Sequence, residues 1–398
     1  MLFFKYIRLT SISFIFVLLF SCDTAVPEQH WQKGNLHTHS FWSDGDDLPE
    51  MIIQWYKDND YQFIALSDHN TIATGDKWYK LKESDKKNNT LEKYQKRFGD
   101  WVESKIDSSG TSVRLKTFEE YKSKLDVPDS FLIIRSEEVT SSFGKKPVHI
   151  NVTNIQKKID PIKANSVYEV MQQTLDAVHA QRKKLNVPMF AHINHPNFGY
   201  GINTEDLKKL KGERFFELYN GHPAVNNEGD ETHYGIETMW DLINISYYNE
   251  KKPLLLGIAT DDSHNYHIKS SDHSNTGRGW VMVNSKKLDP VSLIEAMEAG
   301  DFYSSSGVSL KKVHTTKKKL SIEVDSKEDV TYEIIFMGYR EGSENMEELK
   351  RVKGTAAEYV FEKNDLIVRA KINSNLLKEN PYIKGELEQA WTQPIIVK

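Results

Sequence analysis

The chain has 398 residues and a net charge of −5, with 38% hydrophobic and 27% charged residues. This composition excludes a disordered chain and a multi-span membrane protein, and it predicts a soluble fold of two or three domains. The single cysteine excludes an internal disulfide framework and cysteine-based metal clusters, so any metal must be bound by His, Asp and Glu. Mild acidity gives no global reason to bind nucleic acid, and we expect no stable nucleic-acid partner.

The first residues have the pattern of an export signal. Lys5 and Arg8 precede an apolar run at 9–20, which is too short for a comfortable membrane-spanning helix. The run ends at Cys22 and resembles the lipobox of bacterial lipoproteins, in which this cysteine becomes lipidated. We therefore expect a lipoprotein signal peptide at 1–21, a tether at 22–32, and a protein anchored to a membrane at the periplasmic side or cell surface. The alternative is an ordinary signal peptide with an incidental cysteine.

Residues 33–310 alternate short apolar runs with amphipathic stretches, which favours an α/β barrel or a doubly wound sheet. The Lys/Glu-rich stretch at 77–125 interrupts this pattern and is predicted to be a solvated, strand-poor helical insertion. The predicted strands are 61–66, 131–134, 148–152, 188–193, 214–219 and 253–259, and predicted helices include 48–57, 166–184, 204–210 and 290–299.

The pattern changes from residue 311 onward, where short strands separated by turns replace the strand–helix alternation. They predict a small antiparallel β-sandwich at 311–398. The only histidine in this part is His314, so we expect the chemistry to lie in the first domain. The predicted strands are 318–324, 330–339, 356–361, 365–372 and 390–397.

Side chains that bind metals follow several of the predicted strands. In a strand–helix barrel, residues at the carboxyl ends of the strands converge on one mouth. Polar groups gathered there would be desolvated unless something paired them, and a metal cluster would do so. A hydrogen-bonded polar mouth without metal is the alternative. The residues are His37, His39, Asp44, Asp68, His69, Glu137, Glu138, His149, His192, His195, Asp261, Asp262 and His264.

The motifs LHTHSFWSDG, IALSDHNTI, EEVT, VHINV, NHP and DDSH, in this order, resemble the PHP superfamily of metal-dependent phosphoesterases. The resemblance covers residues 33–310 and implies a distorted (β/α)7 barrel with up to three metal ions. The final AWTQPI resembles the end of the secreted, carbaryl-hydrolase-like branch of metallohydrolases.

The resemblance also implies a ligand set. Its motifs favour Glu138 over Glu137 as the bridging carboxylate. The implied first site consists of His37, His39, Glu138 and Asp262; the second of Glu138, His149 and His195; and the third of Asp44, His69 and His264. The proline after His195 favours this residue over His192, and the Asp-x-His spacing favours Asp262 over Asp261.

Two or three divalent ions, Zn, Mn or Fe, suit such a ligand set. A metal pair would lower the pKa of a bridging water, supply hydroxide as the nucleophile and clamp the oxygens of a phosphoryl group. We expect Asp68 to orient His69. Arg278 is predicted to bind a substrate phosphate, or else to lie in a surface turn. His222 and Glu217 follow another strand and are candidates for the mouth, although a structural role for His222 is equally open.

These observations predict a metal-dependent hydrolase that cleaves phosphate mono- or diesters, with small molecules or nucleotides as substrates. The same hydroxide could attack a carbonyl carbon, so a carbamate, ester or amide hydrolase is the first alternative. The second alternative is a non-catalytic surface lipoprotein that binds glycan or protein through its β-sandwich.

Overall fold

A computed structural model describes residues 28–397, which form a mixed α/β fold, as the sequence predicts. The predicted signal peptide and Cys22 lie outside the described residues. Among the residues that are described, no helix is both long and apolar enough to cross a membrane.

Helices and strands follow one another from residue 31 to residue 298, and only strands follow in the rest of the described chain. The helices are α1 (Pro49–Asp58), α2 (Glu83–Lys87), α3 (Thr90–Phe98), α4 (Phe118–Leu125), α5 (Val167–Leu185), α6 (Thr204–Lys208), α7 (Ile236–Asn249) and α8 (Pro290–Glu298). The first strands are β1 (Trp31–Asn35), β2 (Phe63–Leu66), β3 (Lys77–Lys80), β4 (Ser104–Asp107), β5 (Gly110–Leu115), β6 (Leu132–Phe143), β7 (Lys146–Thr153), β8 (Phe190–Ile193), β9 (Phe215–Asn220) and β10 (Leu256–Thr260). The later strands are β11 (Trp280–Asn284), β12 (Phe302–Ser305), β13 (Leu310–Thr315), β14 (Lys319–Val324), β15 (Tyr332–Arg340), β16 (Glu347–Lys353), β17 (Ala356–Val360), β18 (Asp365–Leu377), β19 (Leu387–Thr392) and β20 (Ile395–Ile396).

The largest sheet mixes parallel and antiparallel strands. Its order is β10-β9-β8-β7-β6-β2-β1-β11-β12-β19-β18-β15-β16, with β20 paired to β18. The parallel pairs are β1 with β2, β2 with β6, β8 with β9, and β9 with β10. Strands β2 and β10 are buried along their whole length, which explains their nearly continuous apolar sequences.

The segments that follow β1 and β10 meet, although these strands are far apart in the order of the sheet. Thr38 and Ser263 form an isolated parallel bridge. The backbone N–H of His39 donates to the Ser263 carbonyl at 2.9 Å, and that of Asp262 donates to the His37 carbonyl at 3.0 Å. Backbone hydrogen bonds therefore bring the carboxyl ends of β1 and β10 to one place.

The insertion at 77–125 differs from the strand-poor helical segment that the sequence predicts. It contains helices α2, α3 and α4, but also the three-stranded antiparallel sheet β3-β5-β4. Strand β4 (SKID) is exposed at every residue, so it lacks the apolar alternation by which strands are recognised in a sequence. The segment is also partly buried, since Tyr94, Val113 and Leu115 belong to a hydrophobic cluster with α1.

The C-terminal strands lie in two sheets that share a hydrophobic core. Strands β13, β14 and β17 form one sheet, while β15, β16, β18 and β19 continue the largest sheet. The shared core includes Leu320 and Ile322 from the first and Phe336 and Ile372 from the second. Because β19 pairs with β12, the large sheet runs without interruption from the first part of the chain into the second.

Arg369, on β18, connects these C-terminal strands to α7. Its side chain is 1% exposed, and its guanidinium donates to Asp241 at 2.8 and 2.9 Å and to Glu237 at 2.9 Å. We expect Arg369→Ala to lower the free energy of unfolding by about 3 kcal/mol, because Asp241 would lose its cationic partner and Glu237 would keep only Lys371. Urea unfolding followed by circular dichroism measures the change.

The matched control is Arg351→Ala, which removes an arginine on β16 that is 42% exposed. An exposed ion pair contributes less than about 1 kcal/mol. Equal destabilisation by the two variants would contradict the role assigned to Arg369.

Glu50, in α1, gives a pH dependence to the packing of α1 against the insertion. It is fully buried and accepts a hydrogen bond from the Tyr94 hydroxyl at 3.1 Å, and burial raises its pKa to about 7. Between pH 4.5 and about pH 7, Glu50 keeps its proton in the folded chain but has lost it in the unfolded chain. Raising the pH through this range therefore lowers the stability of the fold. We expect Glu50→Gln to be more stable than the parent at pH 8, by roughly 3 kcal/mol at most, with little difference at pH 4.5.

Urea unfolding at the two pH values measures this difference, with exposed Glu92→Gln on α3 as the control. A stability difference between Glu50→Gln and the parent that is the same at both pH values would contradict the prediction.

Candidate metal centre

The structure brings together the nine residues that the sequence predicts as metal ligands. They lie on six stretches of chain, and several follow the parallel strands at one edge of the large sheet. His37 and His39 follow β1, Asp44 lies in the next turn, His69 follows β2, Glu138 lies in β6, His149 in β7, His195 follows β8, and Asp262 and His264 follow β10.

The first group of donor atoms consists of His37, His39, Glu138 and Asp262. The Nε2 atoms of His37 and His39 are 3.1 Å apart. Asp262 Oδ1 lies 3.1 Å from the first and 3.2 Å from the second. Glu138 Oε2 lies 3.5 and 3.2 Å from the same two nitrogens. An ion bound tetrahedrally at roughly 2.0–2.1 Å would separate its ligand atoms by about 3.3–3.4 Å, so this set fits a divalent cation.

Glu138 offers its other oxygen to a second group. Oε1 lies 3.0 Å from His149 Nδ1 and 3.5 Å from His195 Nε2. His195 Nε2 also lies 3.9 Å from Asp262 Oδ2. The carboxylates of Glu138 and Asp262 therefore each face both groups. Glu138 is completely buried, and its Oε2 has no hydrogen bond of acceptable geometry although imidazole nitrogens surround it.

The third group lies at the solvent edge. The carboxylate of Asp44 is 54% exposed and lies 3.4 Å from His69 Nε2 and 3.4 Å from His264 Nε2. His39 Nδ1 lies 3.6 Å from Asp44 Oδ1. The two nitrogens of His39 thus face different groups, and only one of them can be the acceptor in the neutral ring.

Glu217, a buried carboxylate on β9, lies behind the first group and orients His37 and His195. Its Oε1 is 2.6 Å from His37 Nδ1, which leaves the lone pair of His37 Nε2 directed at the donor group. Its Oε2 accepts from the backbone N–H of His195 at 2.7 Å and from Asn220 Nδ2 at 2.8 Å. From its sequence position, Glu217 was predicted only as a candidate to line the mouth of the barrel. A lone charged residue within an apolar strand was the available signal.

Two asparagines that the sequence analysis did not select contact the central carboxylates. Asn194 Nδ2 donates to Glu138 Oε1 at 2.8 Å, and Asn151 fixes that amide by accepting from it at 3.0 Å. Asn220 Nδ2 donates to Asp262 Oδ2 at 3.1 Å. These contacts leave Glu138 Oε2 and Asp262 Oδ1 directed toward the histidines of the first group.

Burial and neighbouring charges shift the pKa values of the central carboxylate and histidines. Burial opposes ionisation of Glu138, but His69, His37 and His149 hold its pKa well below the ordinary value. His37 in turn has its pKa raised despite burial, because Asp262 and Glu217 face it. Burial, with the neighbouring His264 and His69, lowers the pKa of His39 to about 3. A cation that binds to His37 must therefore displace a proton, and the carboxylates and imidazoles of the centre are the ligand types that divalent transition metals prefer.

Glu137 and His192 lie outside the donor groups centred on Glu138. Glu137 points to the opposite face of β6, where its carboxylate accepts from the N–H of Ile159 at 2.9 Å. Burial raises its pKa to about 7. His192 is fully buried beside Glu217, at 3.5 Å, and neither ring nitrogen has a hydrogen-bond partner.

Asp261 likewise lies apart from the donor groups, although Asp262 follows it directly. Its carboxylate accepts from the Tyr56 hydroxyl at 2.6 Å and from the backbone N–H groups of Gly277, Arg278 and Gly279 at 2.8, 2.6 and 2.8 Å. Asp261 thus anchors a loop. The geometry agrees with the motif-based preference for Glu138, His195 and Asp262.

The prediction that Asp68 orients His69 is wrong. The Asp68 carboxylate accepts from the N–H and hydroxyl of Ser40, both at 2.7 Å, and from the hydroxyl of Ser43 at 2.6 Å. It therefore fixes the turn between His39 and Asp44. His69 is held instead by Thr140, whose hydroxyl lies 2.5 Å from its Nδ1. Asp68 precedes His69 by one residue, and its side chain points elsewhere.

The prediction that Arg278 binds a substrate phosphate is also wrong. Its side chain is 0% exposed, and all three guanidinium nitrogens donate to protein oxygens. The acceptors include the carbonyls of Gly221, His273, Ser270 and Asn380, at 2.6–3.1 Å. The guanidinium therefore ties loops together and offers no donor to a ligand.

His222, a candidate for the mouth from the sequence, lies beside the site. Its ring centroid is 5.4 Å from that of His264, and its Nδ1 accepts from the N–H of Ala224 at 3.0 Å. Because Nδ1 is an acceptor, the neutral ring carries its proton on Nε2.

Comparisons with known proteins give distant similarities. No protein-family model and no curated protein matches the chain. A two-domain protein from Bacteroides vulgatus, described as containing a predicted PHP-like metal-dependent phosphoesterase, is 13% identical, with 92% of this chain and 97% of that chain covered and a TM-score of 0.40. A candidate metal-dependent phosphoesterase from Bifidobacterium adolescentis is 11% identical, with 60% and 89% covered and a TM-score of 0.29. An amidohydrolase from Chromobacterium violaceum is 14% identical, with 68% and 96% covered and a TM-score of 0.31.

Two of these three proteins are described as metal-dependent phosphoesterases, one of them as PHP-like. All three TM-scores are below 0.5. The chemistry proposed for this chain therefore depends on its own side-chain geometry.

The donor groups predict bound metal. We expect two to three equivalents of Zn, Mn or Fe in the purified protein by elemental analysis, and a large fall in His39→Ala, because His39 Nε2 lies 3.2 Å from both central carboxylates. The control is His314→Ala, on β13 far from the site in the chain, which should keep the parent's metal content. Parent protein without metal after incubation with all three ions would contradict the prediction.

Proposed function

We propose that this protein is a metal-dependent hydrolase of phosphoric esters. The observation that carries the proposal is the position of Glu138, a fully buried carboxylate whose two oxygens face two different sets of imidazoles. A carboxylate shared in this way could serve two neighbouring cations, and paired cations would supply the Lewis acidity that phosphoryl displacement uses.

The residues that would hold the ions follow from the donor groups. His37, His39, Glu138 and Asp262 would hold the first, with Glu138 shared with His149 and His195 for the second, and Asp44, His69 and His264 for a third. Histidine and carboxylate ligands suit Zn, Mn or Fe. When bound, such ions supply Lewis acidity toward phosphoryl oxygens and a water activated as the nucleophile at neutral pH.

The protein's own residues position this chemistry. Glu217 keeps the proton of His37 on Nδ1, so that Nε2 offers its lone pair. Asn194 fixes one oxygen of Glu138. His222 is proposed as a donor to the substrate, because its Nε2 carries the proton of the neutral ring and the ring lies beside His264. It would hydrogen-bond the oxygen of the departing alcohol and stabilise the negative charge that develops there.

We also propose the architecture and location that the sequence predicts. The bridge between Thr38 and Ser263 supports a distorted seven-stranded barrel around the site at 33–310, and the shared core of the C-terminal strands supports a β-sandwich at 311–398. The positively charged start, the apolar run and the lone Cys22 support a lipid-anchored protein exported to the periplasmic side or cell surface.

The experiment is a substrate panel with Mn- or Zn-loaded protein. We expect hydrolysis of p-nitrophenyl phosphate or bis-p-nitrophenyl phosphate, loss of activity with a chelator, and recovery when metal is added. Glu138→Gln should lose on the order of 100-fold or more in kcat/KM, because the substituted amide cannot bridge two cations. His314→Ala is the control with unchanged activity.

Ester, carbamate and amide substrates run in parallel test the alternative chemistry on the same centre. Turnover of these, with no turnover of phosphoric esters or nucleotides, would overturn the phosphoesterase proposal. Full metal occupancy with no turnover of any substrate would favour the non-catalytic binding protein instead.

A further inference from the structure

Phe198 places an aromatic surface directly beside the proposed metal centre. It is half-buried and follows His195 by three residues. Its ring centroid lies 5.1 Å from that of His195, 6.0 Å from that of His149 and 6.1 Å from that of His222. The ring is thus close to two proposed ligands and to the proposed donor to the substrate, so a substrate held by these groups would lie near it.

The position of this ring is fixed by the backbone around it. The N–H of Phe198 donates to the His195 carbonyl at 2.8 Å, and Phe198 forms an isolated antiparallel bridge with Val225. The side chain of Asn197 donates to the carbonyls of Asn226 and Tyr234, at 2.8 and 3.0 Å. The surface is therefore preformed, and binding against it requires little ordering of the loop.

The proposed ligands have no lysine or arginine partner in the described residues. Among residues 28–397, no lysine or arginine forms an ion pair with any of the nine proposed ligands; their partners are one another and Glu217. Arg278 is internal. Lys77, whose charge acts on Asp68, donates its amine to the Trp42 carbonyl at 2.6 Å.

A phosphomonoester brings two negative charges and three terminal oxygens, whereas a diester brings one charge and two terminal oxygens. Because no lysine or arginine of the described residues forms an ion pair with a proposed ligand, the second charge of a monoester would depend on the bound cations alone. A diester also carries a second organic group, which needs an apolar surface such as Phe198.

Building on the proposed function, we propose that the preferred substrates are phosphodiesters that carry an aromatic ester group, and that the aromatic group retained on phosphorus packs against Phe198. Water adds its oxygen to phosphorus, the bond from phosphorus to the other ester oxygen breaks, and that group leaves as an alcohol with one of the water protons. The products are an aryl phosphate monoester and an alcohol.

The experiment compares phenyl p-nitrophenyl phosphate with methyl p-nitrophenyl phosphate, which share one leaving group and differ only in the retained group. We expect metal-loaded protein to prefer the phenyl ester by about tenfold in kcat/KM, and Phe198→Ala to bring that ratio close to one. Both diesters should exceed p-nitrophenyl phosphate in the parent. Phe198→Leu keeps an apolar side chain and should give an intermediate ratio.

Two controls separate recognition from damage to the centre. Metal content should be the same in the parent and in both Phe198 variants. Phe143→Ala, at the far end of β6 where the side chain is 40% exposed, should keep the tenfold ratio. A phenyl-to-methyl ratio near one in the parent, a ratio unchanged in Phe198→Ala, or a monoester preferred to both diesters would overturn the inference while leaving the phosphoesterase proposal intact. No turnover of any phosphoric ester would overturn both.

Discussion

The structure depends most on one buried charge, the carboxylate of Glu138. An ionised carboxylate removed from water is destabilising by several kcal/mol unless opposite charge or hydrogen bonds replace the solvent. Here the replacement comes from His69, His37 and His149, which belong to three different parts of the chain and hold the pKa of Glu138 low. Its Oε2 still lacks a well-formed hydrogen bond. A divalent cation held among these groups would stabilise that carboxylate further, and its binding would then be linked to the folding of the centre.

Two residues of the centre, Asp262 and His195, have strained backbone conformations. Asp262 and His195 have φ angles of 49° and 20°, a region that residues other than glycine rarely occupy. Each such conformation is unfavourable by about 1–3 kcal/mol, and the surrounding structure must maintain it. At Asp262 the neighbouring backbone bonds to the segment after β1, and at His195 the N–H bonds to Glu217. The side chain of His195 lies 3.5 Å from Glu138 Oε1, and that of Asp262 lies 3.1 Å from His37 Nε2.

The sequence was sufficient for those parts of the site that depend on local spacing. His37 and His39, two residues apart, approach one another closely, while adjacent Glu137 and Glu138 point to opposite faces of β6. Parts that depend on long-range packing were not predictable. Asp68 and Arg278 have suitable chemistry and suitable positions in the sequence, but their hydrogen bonds go to Ser40 and to loop carbonyls. Strand β4 of the insertion was missed because it is short and exposed at every residue, so that burial leaves no periodic signal in it.

The C-terminal strands take part in positioning the centre. Lys378, just beyond β18, donates to the Arg278 carbonyl at 2.7 Å, and the Asn380 carbonyl accepts from Arg278 Nε at 3.1 Å. The backbone N–H of Arg278 in turn donates to Asp261 at 2.6 Å, and Asp261 immediately precedes Asp262. A continuous set of hydrogen bonds therefore runs from the C-terminal segment to the residue before a central carboxylate. Because Asp262 is held in an unfavourable backbone conformation, fixing its neighbour restricts the directions that its side chain can take, and this gives the second part of the chain a physical role in the geometry of the first.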